Sequence, residues 1–228
     1  MKLTLISKKQ ETPNVFTFIF KPETPLAWTA GQFLNYKLED PQPDERSTRR
    51  FFSIASAPFE ENIQVTTKFV PGDGSTFKRD LQKLEVGDSI EANGPSGEFI
   101  IDDPQKEYIF IAGGIGVTPF RAILKDLEHN NLHPKITLLY ANRDNNFVFK
   151  DEFTELLEKD TNLSIHYFVD PQRIDETAIK QYVPNLLTSV FYVSGPEPMV
   201  EAFEKMLAQM GVSDENIKRD YFPGYTEI

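Results

Sequence analysis

The chain has 228 residues, a formal net charge of −11 at pH 7, 39% hydrophobic residues and no cysteine. That length permits one large domain or two small ones, with enough apolar residues for sizeable cores. The charge excludes a nucleic-acid backbone as partner, and the missing thiols exclude disulfides, thiolate nucleophiles and cysteine-ligated zinc or iron–sulfur centres.

The apolar run after Met1 is too short for a signal peptide, and no segment has the apolar length to span a bilayer. The expected location is cytoplasmic. Residues up to about 103 read as β structure. Lys2–Leu5 alternates, and Val15–Phe20 sets Phe16, Phe18 and Phe20 on one face. Phe33–Leu38, Arg50–Ala55, Ile63–Val70, Ser89–Ala92 and Phe99–Ile101 continue the series, separated by Pro- and Gly-rich turns. Many short strands at this spacing indicate a barrel or sandwich. One helix interrupts, from Ser75 or Thr76 to Leu84, with Phe77, Leu81 and Leu84 along one side. Asp102–Glu107 is apolar-free and contains a proline, so the boundary is set there, with domains at 1–103 and 104–228.

The second half opens on the most informative stretch. Tyr108–Ala112 is a buried-strand run, stopped by Gly113, Gly114 and Gly116. Thr118 is a candidate N-cap, Pro119 fits the first helical position, and Val117, Phe120, Ile123, Leu124 and Leu127 recur at helical spacing. A strand, a glycine turn and a helix N-terminus gather backbone N–H groups where a pyrophosphate fits. Gly114 and Gly116 match the first two positions of G-x-G-x-x-G, but Pro119 stands where the third glycine belongs. His129 and His133, beside Asn130 and Asn131, read as a helix end rather than metal ligands.

Ile136–Tyr140, Ser164–Val169, Val190–Ser194 and Ile217–Phe222 are further predicted strands. Helices are predicted around Phe149–Leu157, over Glu176–Tyr182 and along Met199–Met210, whose methionines serve as core filler. This alternation implies an α/β domain with a parallel sheet. Ligands of such sheets sit beyond the carboxyl ends of the strands, where the glycine turn, Asn142-Arg143, Asp170-Pro171 and Ser194-Gly195-Pro196 fall.

Arg50-Phe51-Phe52-Ser53-Ile54-Ala55-Ser56, Gly113–Pro119 and Val193-Ser194-Gly195-Pro196, in this order and spacing, resemble the ferredoxin–NADP reductase superfamily over essentially the whole chain. The similarity is to its stand-alone flavin reductases without a fused iron–sulfur domain. It implies an N-terminal antiparallel β-barrel that binds flavin, FAD rather than FMN, and a C-terminal α/β parallel-sheet domain that binds NAD(P)H. Arg50 would pair with the flavin pyrophosphate, Phe52 would pack on the flavin in a position where tyrosine is common, and Ser53 would stand near flavin N5. Phe51 belongs to the same strand and is counted with the cofactor-binding residues. Lys68-Phe69-Val70 would line the flavin ring and Gly74-Ser75-Thr76 would hold its phosphates.

By the same resemblance Gly113, Gly114, Gly116, Thr118 and Pro119 would hold the nicotinamide dinucleotide, with Gly195 and Pro196 nearby. Ser194 stands where the family usually has a cysteine beside the nicotinamide. Asp220-Tyr221-Phe222 resembles the acidic-x-aromatic stretch over the other flavin face, where Phe222 or Tyr225 would shield the ring and Phe222 aligns better. Asn142-Arg143 before Asp144 points toward NADPH. Ser53, Ser194 and Phe222 are the expected catalytic residues. The implied reaction is hydride transfer from a reduced nicotinamide to flavin, then electron delivery to a separate acceptor. A ferredoxin-like protein, drawn to Arg49, Lys68, Lys78, Arg79 and Lys83, is one candidate; free flavin or a ferric chelate is another. A non-catalytic flavin- and nucleotide-binding electron-transfer subunit is the alternative from another class.

Overall fold

The structure is a computed structural model that describes residues 1–39, 44, 48–69 and 75–222. Val70, Gly74 and Tyr225 lie outside the described residues, as does Arg46. The chain forms two compact units, Met1–Ile100 with Arg121–Asp126, and Ile101–Phe120 with Leu127–Ile228.

The first unit contains β1 (Lys2–Thr12), β2 (Val15–Pro22), β3 (Phe33–Lys37), β4 (Arg49–Ser53), β5 (Ile63–Lys68), α1 (Thr76–Lys83) and β6 (Ser89–Ser96). The strands make one antiparallel sheet in the order β4-β3-β6-β1-β2-β5. Just past the end of β4, Ala55 N donates to Gln64 O of β5 at 2.8 Å. That bond bridges the two end strands and makes the sheet barrel-like. Alternation explains its inner face: Leu3, Leu5, Phe18, Phe20, Leu34 and Ile63 are fully buried. At roughly 2 kcal/mol for each fully buried Leu or Phe, this face drives folding of the unit. Helix α1 adds Phe77 and Leu81 to the same core.

Three strands differ from expectation, one of them β6, which runs on from Ala92 to Ser96 by pairing with β3. β1 continues seven residues beyond Leu5 because it pairs with β2 as far as Thr12↔Val15, across a bulge between Leu5 and Ser7. Its polar second half lacks the alternation that a half-buried strand needs, so only pairing reveals it. Phe99–Ile101 is not a strand. Phe99 instead tucks its carbonyl against Gly31 (φ +98°), where an added Cβ would stand 1.9 Å from the Phe99 oxygen. Glycine is required there both for that approach and for the left-handed backbone.

The second unit alternates β7 (Tyr108–Gly113), α2 (Thr118–His129), β8 (Ile136–Asn142), α3 (Lys150–Lys159), β9 (Leu163–Val169), α4 (Glu176–Tyr182), β10 (Val190–Pro196), α5 (Glu197–Gln209) and β11 (Ile217–Phe222). All pairings are parallel, in the order β11-β10-β7-β8-β9. Both faces of β7 are covered. Ile109 and Ile111 join a core with Val200, Phe203 and Leu207 of α5 and Ile179 of α4. On the other face Phe110 stacks on Phe120, with centroids 4.5 Å apart. Met199 is buried in the α5 core, and Met206 and Met210 pack against it, as expected of filler. No helix of the described residues is long and apolar enough to cross a membrane.

Candidate functional site

In the parallel sheet, β8 and β9 extend to one side of β7 while β10 and β11 extend to the other. The crevice at such a reversal is where doubly wound sheets take nucleotides. The loops that close it are the glycine turn after β7 and Ser194-Gly195-Pro196 at the end of β10. Gly114–Val117 forms a 3-10 turn that runs directly into α2, with Gly113 as its N-cap. A Cβ on Gly116 would lie 2.2 Å from Ser194 O and 2.8 Å from Gly195 Cα. One on Gly113 would lie 2.2 Å from Met199 Sδ. Gly116 is therefore demanded by close packing against the β10 backbone, whereas Gly113 abuts the flexible Met199 side chain of α5. Gly114 differs: its φ is +52°, and an added Cβ would meet only Asn142 Oδ1, at 3.8 Å. Its only neighbour is at ordinary van der Waals distance, which leaves room for approach of a ligand phosphate.

Thr118 is not the N-cap that the sequence suggests. It is already helical, with φ −57° and ψ −47°, and its N–H donates to Ile115 O. Its hydroxyl donates to the same carbonyl at 3.1 Å. Pro119 has no N–H to claim Ile115 O in the helical ladder, which leaves that oxygen free to accept both donors.

The β10–β11 register sets Ser194 beside Asp220 and Pro196 beside Phe222. Ser194 is fully buried, and its Oγ donates to Asp220 Oδ2 at 3.1 Å. The serine and the acidic residue singled out separately in the sequence thus form one hydrogen-bonded pair. At the end of β8, the Asn142 amide donates to Asp144 Oδ1 at 3.3 Å and to Asn146 O at 3.1 Å. Its carbonyl oxygen faces Gly114, while Arg143 is exposed.

The first unit carries a separate cluster. Alternation along β4 puts Arg50 and Phe52 on one face and Phe51 and Ser53 on the other. Phe51 is 63% exposed and meets Phe33 edge-on at 5.5 Å, so it does not join Arg50 and Phe52. Ser53 is buried at the strand end, opposite Phe33. Phe52 is half-buried between Tyr36 and Phe77, each 5.8 Å away between ring centroids. The Arg50 guanidinium lies over the Phe77 ring at 5.7 Å. Ser75 caps α1, its Oγ accepting from Lys78 N at 3.2 Å. Lys78 Nζ donates to Lys68 O at 2.8 Å, tying the end of β5 to α1. Phe69 packs on Phe16, with centroids 5.5 Å apart. Arg50, Phe52, Lys68, Ser75 and Thr76 therefore converge.

Two residues of this unit carry no signal in the sequence. Asp44 accepts from Arg50 Nη2 at 2.9 Å (Oδ1) and 3.1 Å (Oδ2), and from Thr76 N at 3.0 Å. The donors assigned to a phosphate thus already grip an anion. No spacing rule marks Asp44, because its partners lie six and 32 residues away. Arg121, 5% exposed, donates to Ala55 O at 2.7 Å and to both Glu60 oxygens at 2.9 and 3.0 Å. Burial alone would raise the Glu60 carboxyl pKa. The Arg121 hydrogen bonds and charge, with the Ala57 N–H, hold it below the usual range. From sequence, Arg121 is one polar residue in an apolar helix stripe, with nothing local to pair it.

The donor sets fit the two cofactors: a cation and a helix N-terminus that hold a carboxylate in one unit, and an open glycine turn at the sheet reversal in the other. Residues 2–101 match the family model of the oxidoreductase FAD-binding domain, and residues 110–205 match that of the oxidoreductase NAD-binding domain. A subunit of the Na(+)-translocating NADH-quinone reductase of Serratia proteamaculans is 32% identical over 205 residues, covering 78% of this chain and 50% of its own length. The flavohemoprotein of Bacillus subtilis is 25% identical over 96% of this chain and 58% of its own length. The chain thus spans about half the length of the curated relatives it matches. The cytochrome b5 reductase domain of Ulva prolifera nitrate reductase shares the fold, with a TM-score of 0.83, 24% identity and coverage of 96% of both chains. The chain belongs to the ferredoxin–NADP reductase superfamily, as an oxidoreductase with an FAD-binding and an NAD-binding domain.

Proposed function

We propose that this protein takes a hydride from NADH or NADPH onto FAD and passes the electrons to a separate acceptor. The observation that carries this reading is the grip of Arg50 and Thr76 N–H on an anion beside the half-buried Phe52 ring. FAD, when bound, supplies the redox chemistry, accepting two electrons from the nicotinamide and releasing them singly or together.

The rest falls to the chain's own groups. Arg50 offers a planar, permanently charged donor to the flavin pyrophosphate, with Ser75 and Thr76 at the N-terminus of α1. Phe52 supplies an apolar face toward the flavin, whereas Ser53, the last residue of β4, is buried on the other face of that strand. Lys68 and Phe69 line the ring. Gly114 with Gly113, Gly116, Thr118 and Pro119 seats the dinucleotide pyrophosphate, while Asn142 and Arg143 lie toward its 2′ position and favour NADPH. Ser194, held by Asp220, orients the nicotinamide amide without titrating, and Phe222 shields the flavin. The flavin-binding part runs over 1–103 and the nucleotide-binding part over 104–228.

For the acceptor we favour a ferredoxin-like protein, received by Arg49, Lys68, Lys78, Arg79 and Lys83. Free flavin or a ferric chelate is the competing acceptor. The test is stopped-flow reoxidation of the anaerobically reduced protein. Rapid reoxidation by ferredoxins supports the first acceptor. Turnover with free flavin or ferric chelate alone replaces it. A protein that binds FAD and nicotinamide, yet whose flavin neither NADH nor NADPH reduces, sinks the hydride-transfer reading and leaves the non-catalytic flavin- and nucleotide-binding subunit, a reading motivated by Ser194 in place of cysteine and Phe52 in place of tyrosine.

A further inference from the structure

Asp44 occupies the donors that a flavin diphosphate needs. Its carboxylate takes bonds from Arg50 Nη2 and the Thr76 N–H. In return the Asp44 N–H donates to Thr76 Oγ1 at 3.1 Å. The arrangement is a reciprocal cap closed across 32 residues. Helix α1 carries no acidic residue in its own first turn, so Asp44 is the remote negative charge that meets its positive end. The pair is largely shielded, with side-chain exposures of 16% for Arg50 and 21% for Asp44, which strengthens it relative to a surface ion pair.

We propose that Asp44 is a built-in competitor for the flavin phosphates, so that FAD must displace this carboxylate from Arg50 and Thr76 or bind against its charge. The inference rests on the reading of those two residues as phosphate donors. A diphosphate and a carboxylate cannot both take the same N–H groups. A carboxylate left in place would stand against the incoming negative charge within a few ångströms, which is also unfavourable. Either way Asp44 weakens binding of phosphate-bearing flavins and leaves the ring's own contacts untouched. It sets flavin affinity, and with it the ease of flavin release, while keeping Arg50 neutralised and α1 capped in the flavin-free protein.

The test is flavin-fluorescence titration of the flavin-free protein with FAD, FMN and riboflavin, for wild type, Asp44→Asn and Arg50→Ala. The expected result is that Asp44→Asn binds FAD and FMN at least about tenfold more tightly, with riboflavin affinity unchanged. Asp44→Ser, which removes the charge and keeps the backbone bond to Thr76, must give the same order should the asparagine variant fold poorly. Inorganic pyrophosphate must raise the melting temperature of the uncharged variant more than that of wild type. Equal or weaker FAD binding by both variants overturns the proposal and makes Asp44 a support for Arg50. Unchanged FAD binding by Arg50→Ala is a different failure: it removes the phosphate-donor reading, and the proposal with it.

Discussion

The two anion-directed regions are built by opposite means. In the first unit side chains carry the site: Arg50, Asp44 and Thr76 make a cluster of charges and caps. In the second, glycines let the ends of β7 and β10 come into backbone contact. A site of charges is tuned by one substitution and answers to competing anions. A site of backbone fails by steric overlap and responds little to charge.

The largest effect expected from this contrast is at Gly116. Alanine there must push aside Ser194 O and Gly195 Cα, which are backbone. Gly116→Ala should cost about 3 kcal/mol or more and abolish nicotinamide binding. Gly114→Ala meets only Asn142 Oδ1 at ordinary contact distance and carries the cost of its left-handed backbone, about 1 kcal/mol. Thermal unfolding with NAD(P)H titration measures both. Equal losses for the two variants would break the contrast.

Next comes the Arg121–Glu60 pair, the more buried charge contact of the first unit. Arg121→Met strands Glu60 and the Ala55 carbonyl. About 2–3 kcal/mol should be lost, at the low end for a buried pair because Glu60 remains 24% exposed and can recruit water. The Glu60 carboxyl pKa is lowered in the folded state. Its contribution is therefore fully present above the ordinary carboxylate range and is lost as pH falls through the folded value. The stability gap between wild type and Glu60→Gln should be widest near neutrality and close as the pH falls through the lowered folded-state value. A gap independent of pH in denaturant titrations would contradict the pairing.

Arg50→Ala removes a charge-assisted donor and should weaken FAD by about 1.5–3 kcal/mol while leaving nicotinamide binding in place. Separate titrations with the two cofactors read this directly. Ser194→Ala is the smallest change. It removes the 3.1 Å bond to Asp220 and should cost about 1 kcal/mol of stability. A slower hydride step accompanies it, and Ser194→Cys should restore that rate better than alanine does.

Legibility in the sequence follows the range of the interactions. The β7 glycine turn, the boundaries of α4 and the Phe18/Phe20 face are readable because each depends on neighbours in the chain. The second half of β1 is not, because Ser7–Thr12 is a strand only by pairing with β2. Thr118 looks like a cap in the sequence because nothing there shows that a 3-10 turn starts the helix four residues earlier. Asp44 and Arg121 are invisible for a related reason: Thr76 and Glu60 lie far from them along the chain, Arg50 is six residues from Asp44 at no regular structural spacing, and no local pattern distinguishes either residue from a solvated charge. Phe51 and Phe52 are adjacent and alike in composition, and only the phase of β4 separates the exposed ring from the one beside Arg50.

The most direct test of the central claim is an anaerobic titration of the FAD-loaded protein with NADH and NADPH, followed by visible absorbance. Bleaching of the flavin by one of the two nicotinamides, abolished in Gly116→Ala, is the expected result. A flavin that binds through Arg50 yet stays oxidised with both would contradict it.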